Sequence, residues 1–351
     1  MGSEAPQTVS RTRHFAEGTA QDIVFDMIFG HVAAQVVHCA AKFSFADHLA
    51  RGRAGHAAIA AAEGLDAGST LRLMRACPAL GRLSQGEEGL FAATPLLDTL
   101  RKDMPGSLRN MALAQGGHGH WAPWGRLDEA VRTGRSQAEP ALGTSVWSYY
   151  ASPAGMPEAQ AFTRAMADMS IRVAQEAGRL VDTRAATFAV DLGGASGTLL
   201  HALMERNRSL RGAVFDLPHV VAAAKQAAAA AHLQDRLAVI GGDFRCEVPA
   251  ADLYLLKYIL HDWDDEVCMT ILRNCRRAIK PGGRVVVIEM ILDDVQTTRF
   301  AAQLDLTMLV VLGAKERTLP EFKRLCREAG FEITRTMATA TPLSIIEAVA
   351  V

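Results

Sequence analysis

The chain of 351 residues lacks an excess of charge of either sign: 37 Lys and Arg stand against 38 Asp and Glu, a formal net charge of −1. That balance argues against bulk attraction to nucleic acid or to an anionic membrane surface. The six cysteines (Cys39, Cys77, Cys246, Cys268, Cys275 and Cys326) form no CxxC pair. Neither a disulfide frame nor a cysteine zinc site is expected, and the pattern reads as reduced thiols in a cytoplasmic protein. No apolar core follows the polar first fifteen residues, so no signal peptide is expected. Met1-Gly2-Ser3 opens like a myristoylation signal, but Pro6 stands where Ser or Thr is needed. The most apolar long stretch, 23–41, carries Asp26, His31, Gln35 and His38 and is too polar to span a bilayer. What is present is an ordinary globular composition, 49% hydrophobic and 21% charged, in a chain long enough for two domains with sizeable cores.

Residues 187–197, TFAVDLGGASG, organise the rest. Phe188, Ala189 and Val190 make a short apolar run of the kind that forms a buried parallel strand. Asp191 ends it, and Gly193, Gly194 and Gly197 precede the helical run LLHALMERN. Glycines at a strand end let backbone N–H groups approach a ligand, and the following helix points its positive end into the same space. A glycine turn with no ligand is the plain alternative. The dinucleotide fingerprint is missing, because Ala195 stands where a second glycine counted from Gly193 would fall. A dinucleotide also has no use for a carboxylate beside its anionic pyrophosphate, whereas a cofactor carrying an ammonium and a sulfonium is drawn to Asp191. S-adenosyl-L-methionine fits that description.

From residue 187 onward apolar runs alternate with helical ones, the pattern of an α/β doubly wound parallel sheet. Strands are predicted at 188–191, 212–216, 236–240, 252–257, 284–290, 331–337 and 343–350, with Lys280-Pro281-Gly282-Gly283 as a turn feeding the fifth. Ligands in such sheets sit outside the carboxyl ends of the strands. Asp216 ends the second strand nineteen residues after Gly197 and can accept ribose hydroxyls. Asp243 and Phe244 follow the third and can bond and cover an adenine. After the fourth strand, LLKYILHDWDDE sets His261, Asp262 and Trp263 in a loop, with Asp264 or Asp265 capping the next helix. Glu289 ends the fifth strand and Glu316 follows in GAKERT, so two carboxylates can flank one imidazole and make a base.

Upstream, one helix is predicted over 23–42, apolar over so wide an arc that it must be buried in this chain or against a second copy. Short helical segments follow over 45–82. The stretch LRLMRACPALGRL resembles a recognition helix broken at Pro78, and GEEGLFAAT (86–94) reads as a small hairpin. This is a winged-helix pattern, so a transcriptional regulator sensing S-adenosylmethionine or an aromatic metabolite is the rival reading, with Arg72, Arg75 and Arg82 as phosphate contacts. Sparse basic residues, with Glu87 and Glu88 at the wing tip, favour a dimerising module instead. Residues 111–150 hold five of the eight Trp and Tyr, among them Trp147. Within them GGHGHWAPW reads as a solvated loop, because His118 and His120 have no acidic or cysteine partner nearby. No metal-ligand cluster is apparent elsewhere. A helix over 162–180 puts Met166, Met169 and Val173 on its apolar side, as core or as lining for flat rings.

VDLGGASG, FDLP, GDF, LLKYILHDWDDE, KPGGRVVVIE, DLTML and GAKERT together resemble the S-adenosylmethionine-dependent small-molecule O-methyltransferases. These include the plant caffeic acid and flavonoid enzymes and bacterial enzymes that methylate antibiotics, phenazines and polyketides. The resemblance covers about residues 20–351, and the HDW loop combined with KERT is its specific part. It implies a class I methyltransferase, Rossmann-like sheet over 106–351, after an N-terminal, mainly helical, winged-helix-like dimerisation domain over 1–105. It further implies cofactor binding by Ser170, Asp191, Gly193, Asp216, Asp243, Phe244 and Lys257, with S-adenosyl-L-homocysteine as product. His261 is then the general base, positioned by Glu289 and Glu316. Trp147, Phe162, Met166, Met169, Asp262 and Met308 are expected around an aromatic substrate, in a homodimer whose partner helps wall the pocket. The chain departs from the family at Ala195, Arg245 and Ala314, and at Met169, where plant phenylpropanoid enzymes often carry histidine. A bacterial-type secondary metabolite is the expected substrate, with neither nucleic acid nor membrane as partner.

Overall fold

The computed structural model describes residues 19–77, 80–81, 90–293 and 297–351. The first eighteen residues, Pro78, Arg82 and the Glu87–Glu88 pair therefore lie outside the described residues. The chain divides into two compact units, one running to Ala112 and the other from Leu113.

The N-terminal unit opens with α1 (Ala20–Ile28) and α2 (Gly30–Lys42), bent by 46° between them. One helix was expected over this stretch. The break falls at Phe29 and Gly30, where glycine's low helix propensity makes ending one helix and starting another inexpensive. Thr19 and Asp22 close a reciprocal capping box at the start of α1. Three short helices (Phe45–Leu49, His56–Glu63, Ala67–Ala76) and a three-stranded antiparallel sheet follow. Leu90–Ala93 lies centrally in that sheet, between Ala54–Gly55 and Leu80–Gly81. The helix Ala67–Ala76 stops before Cys77, which is extended as a residue preceding proline tends to be.

The C-terminal unit is built on seven strands: β1 (Phe188–Leu192), β2 (Arg211–Asp216), β3 (Leu237–Gly241), β4 (Ala251–Lys257), β5 (Ile279–Glu289), β6 (Phe331–Ala338) and β7 (Ser344–Ala350). Their order is β6-β7-β5-β4-β1-β2-β3. Only β7 runs antiparallel to its neighbours. Alternate residues of each strand feed opposite layers. Ala189, Leu253 and Leu255 pack with Val173 and Ala177 of α3 (Met156–Leu180) and Leu199 and Leu203 of α4 (Thr198–Arg206). Val190, Tyr254 and Leu256 pack with Ile271 and Leu272 of α5 (Asp265–Ala278), and with Phe322 and Leu325. Burial on both faces accounts for the unbroken apolar runs in sequence. Residues 280–283 are less a turn before β5 than an excursion within it: Ile279 pairs with Ala251, and the ladder resumes with Arg284 opposite Leu253. The winding reverses between β1 and β4, so their carboxyl ends open the crevice where such sheets bind ligands.

Candidate active site

Gly193 and Gly194 follow β1 at the carboxyl edge. A side chain on Gly193, which has φ +64°, would run into Ile259, and one on Gly194 into the Asp191 carboxyl group. The close approach brings Gly193, Phe244 and the turn after β4 together. Asp191 is 2% exposed, and one of its carboxylate oxygens has no hydrogen-bond partner. Burial pushes it up to about 7, opposed by the Lys257 ammonium. Lys257 is in turn held below its ordinary range by burial, with Asp191 opposing that shift. A buried carboxylate with one free oxygen beside a glycine cradle fits a ligand bearing positive charge.

Asp216 accepts the backbone N–H groups of Ala195 (2.9 Å) and Leu217 (2.7 Å), one on each oxygen. Each oxygen keeps a lone pair for a hydroxyl. Burial raises its pKa, and these two donors partly offset the rise. Asp243 is gripped by Arg245, whose Nε and Nη2 reach it at 3.0 and 2.7 Å and lower its pKa. The Arg245 guanidinium lies 4.8 Å over the Trp263 ring, and Phe244 meets the same indole edge-on. Ser170 is buried on α3, its hydroxyl bonded to the Met166 carbonyl within its own helix.

Tyr258 follows β4 with φ +55°, an uncommon conformation for a bulky residue. It turns the chain into the short helix Leu260–Asp262 that carries His261. The Tyr258 ring stacks on the imidazole at 4.8 Å, and the Lys257 ammonium lies over the same ring. His261 is 7% exposed; its Nδ1 is 2.7 Å from Glu316 Oε1, and its Nε2 is 3.3 Å from Asp262 Oδ1. Glu289, expected with Glu316 to flank the imidazole, has its nearest oxygen 3.9 Å from Nδ1, an ion-pair distance. Its other oxygen accepts the N–H groups of Ile259 and Leu260, both at 2.9 Å, so it also holds the turn. Burial raises all three acids: Asp262 to about 7, Glu316 to about 8, and Glu289 in the same direction. Asp264, not Asp265, caps α5 through the Val267 N–H. His261, Glu289 and Glu316 have ligand atoms within 4.8 Å of one another, the spacing of a cation site. Within it Glu316 Oε1 bonds to His261 Nδ1 and Glu289 Oε1 accepts backbone N–H groups, while Glu289 Oε2 and Glu316 Oε2 are buried without a hydrogen-bond partner.

The residues expected around a substrate are partly assembled. Trp147 and Phe162 meet edge to face at 6.4 Å. With Tyr150 they pack against the turn Met308–Leu312, which in turn packs on the His261 turn. Met308 is buried at its head. Met166 is half-buried, but Met169 is 37% exposed. The buried stripe of α3 runs instead through Ala161, Ala165, Ser170, Val173 and Ala177. The run GGHGHWAPW is not a solvated loop: His118–Trp124 is helical, and His120 is buried. His120 Nδ1 shares a 2.8 Å hydrogen bond with the Tyr150 hydroxyl, its ring stacks on Phe162, and burial lowers its pKa to about 4. Clustered aromatics in the sequence were the available signal; the helix that gathers them was not legible.

Two family models match the chain: an O-methyltransferase domain over residues 124–332 and an O-methyltransferase dimerisation domain over 25–103. The chain belongs to the O-methyltransferase family and is an S-adenosylmethionine-dependent enzyme. It is 38% identical over 328 residues to the phenazine O-methyltransferase PhzM of Lysobacter antibioticus, covering 93% of this chain and 95% of that protein. It is 32% identical over 347 residues to the mitomycin biosynthesis 6-O-methyltransferase of Streptomyces lavendulae, covering 97% and 98%. Among solved structures it resembles the neocarzinostatin-biosynthesis O-methyltransferase NcsB1, crystallised with S-adenosyl-L-homocysteine and 1,4-dihydroxy-2-naphthoic acid. That likeness has a TM-score of 0.80 at 32% identity, covering 91% of this chain and 96% of the other.

Proposed function

We propose that this enzyme methylates a hydroxyl of an aromatic secondary metabolite of the phenol, phenazine or polyketide type, with His261 as general base. The observation that carries this is the 2.7 Å bond between Glu316 and His261 Nδ1. Once ionised, a carboxylate there keeps the proton on Nδ1, so Nε2 is the basic nitrogen. Asp262, 3.3 Å from Nε2, marks where a substrate hydroxyl arrives. A phenol ionises near pH ~10, so at neutral pH it attacks poorly until its proton is taken.

The bound cofactor supplies the methyl group as a sulfonium that departs as a neutral thioether. Asp191 answers its positive charge, Asp216 its ribose, Asp243 and Phe244 its adenine, with Gly193, Ser170 and Lys257 around it. Trp147, Phe162, Met166, Met169 and Met308 form the apolar wall for the substrate ring. The relatives' phenazine and naphthoic acid ligands support that class. Two chains pair through the dimerisation domain.

The test is transfer of labelled methyl to a panel of hydroxyphenazines, naphthols and simple phenols. His261→Ala is expected to lose about 10²–10⁴ in turnover, the usual worth of a positioned base, with cofactor affinity by calorimetry unchanged. Near-normal turnover of His261→Ala on a neutral phenol overturns the base assignment.

A further inference from the structure

We propose that Arg317 is a positioning residue for the base: it fixes the His261 turn from its carbonyl side and holds Glu316 ready to accept the hydrogen bond from Nδ1. This rests on the reading of His261 as base. Arg317 has no solvent exposure and is the largest fully buried side chain among the described residues. Its backbone is tied down in a two-residue strand, Arg317–Thr318, parallel to Ile291–Leu292. Nη1 donates to the Leu260 carbonyl at 2.7 Å and Nη2 to the Trp263 carbonyl at 2.8 Å. Nε and Nη2 also reach Asp265 at 3.0 and 2.8 Å, and Arg324 takes the other Asp265 oxygen.

These contacts complement those of Glu289. Glu289 accepts the N–H groups of Ile259 and Leu260, and Arg317 donates to the carbonyls of Leu260 and Trp263. The turn carrying His261 is thus held by opposite charges acting on opposite ends of its peptide dipoles. A guanidinium suits this role because its planar fork serves several acceptors at once and stays charged when buried. A structural ion pair with Asp265 alone would leave the two carbonyl bonds without purpose.

Charge is the second half of the inference. The groups facing Glu316 are His261 at its carboxylate, Asp305 at its backbone N–H (2.9 Å), buried Glu289 and Asp262, the Tyr258 ring, and Arg317 next in the chain. Burial and Asp305 push Glu316 up, while Arg317 pulls it down. With Arg317 gone, Glu316 stays protonated to higher pH and can neither accept the Nδ1 hydrogen bond nor steady the imidazolium.

The test measures kcat against pH, with cofactor affinity by calorimetry, for the full chain and for Arg317→Met, Arg317→Lys and His261→Ala. Arg317→Met is expected to lose about ten- to a hundredfold in kcat at neutral pH, the usual penalty for removing a group that orients a functional side chain. Its acidic limb should move up by about one pH unit or more, part of the loss returning at high pH. Cofactor affinity should stay within about twofold. Arg317→Lys keeps the charge without the fork: kcat should fall while the limb stays near its original pH. A limb that does not move in Arg317→Met, or moves equally in Arg317→Lys, overturns the inference even if His261→Ala is inactive. Full activity of His261→Ala overturns the base reading and this inference with it. If Arg317→Met does not fold, Arg317→Lys decides alone: unchanged kcat means that the fork positions nothing.

Discussion

Ala195 shows how one residue can carry strain for a site. It sits at φ +48° in the glycine turn after β1, and its N–H donates to Asp216. An L-residue in that conformation costs about 1–2 kcal/mol, and only glycine enters it freely. The chain tolerates alanine here because the bond to Asp216 and the helix beyond hold the turn. Ala195→Gly is expected to leave stability unchanged or raise it by up to about 1 kcal/mol, read from denaturant unfolding. A loss of about 1 kcal/mol, normal for alanine to glycine in a regular element, would mean that the turn is not strained. At this scale the sequence placed the acids and glycines at the strand ends. It did not show that Asp243 is engaged by Arg245, or that Glu289 also holds the backbone of the turn, because both depend on side-chain reach.

Two elements leave their apolar faces open. Val24, Phe25, Met27 and Ile28 of α1, Phe29 at the bend and Val32 of α2 are 44–61% exposed. Beside them an apolar groove of about 290 Å³ is lined by Val32, Val36, Cys39 and Leu73, with His31 and Gln35 at its edge. A patch of this kind marks an interaction surface, and a second copy presenting the same helices is the occupant expected from the dimerisation domain. Burying a large apolar side chain is worth about 1.5–3 kcal/mol. The double variant Phe25→Glu with Ile28→Glu should therefore weaken a dimer well over tenfold, seen by light scattering at micromolar concentration. A wild-type monomer under those conditions rules this surface out. The apolar stripe was visible as helical periodicity; the bend at Gly30 was not, because the periodicity continues through it.

For the whole molecule, the buried acids set a pH dependence. Asp191 and Asp262 are pushed to about 7 and Glu316 to about 8, chiefly by burial. For an acid whose folded pKa is raised, the folded state holds the proton more tightly than the unfolded chain. Its stabilising contribution is complete below the ordinary carboxylate range and is lost as pH rises through 7 to 8. The ligand-free enzyme should thus melt at progressively lower temperature from about pH 5 to pH 8.5. The cationic cofactor should recover more of that loss at the alkaline end. Asp191→Asn should melt higher than wild type at pH 8 and bind the cofactor more weakly. A melting temperature flat across this window, or lower for Asp191→Asn at pH 8, contradicts the charge burial described above.

What the sequence by itself determined is what repeats locally: the seven strands, the glycine turn, and the acids at successive strand ends. Short apolar runs, glycine punctuation and a polar residue at a strand's carboxyl end are short-range signals, and they place side chains at a known edge of a known sheet. Tertiary structure decided which partner each polar group takes. Glu316 reaches His261 across 55 residues, and Arg317 reaches the Leu260 carbonyl across 57. Burial then removes competing water, so these few contacts fix how the His261 turn and its ring are oriented. No local pattern encodes them, because their strength comes from a low-dielectric interior that exists only once the sheet and its helices have closed.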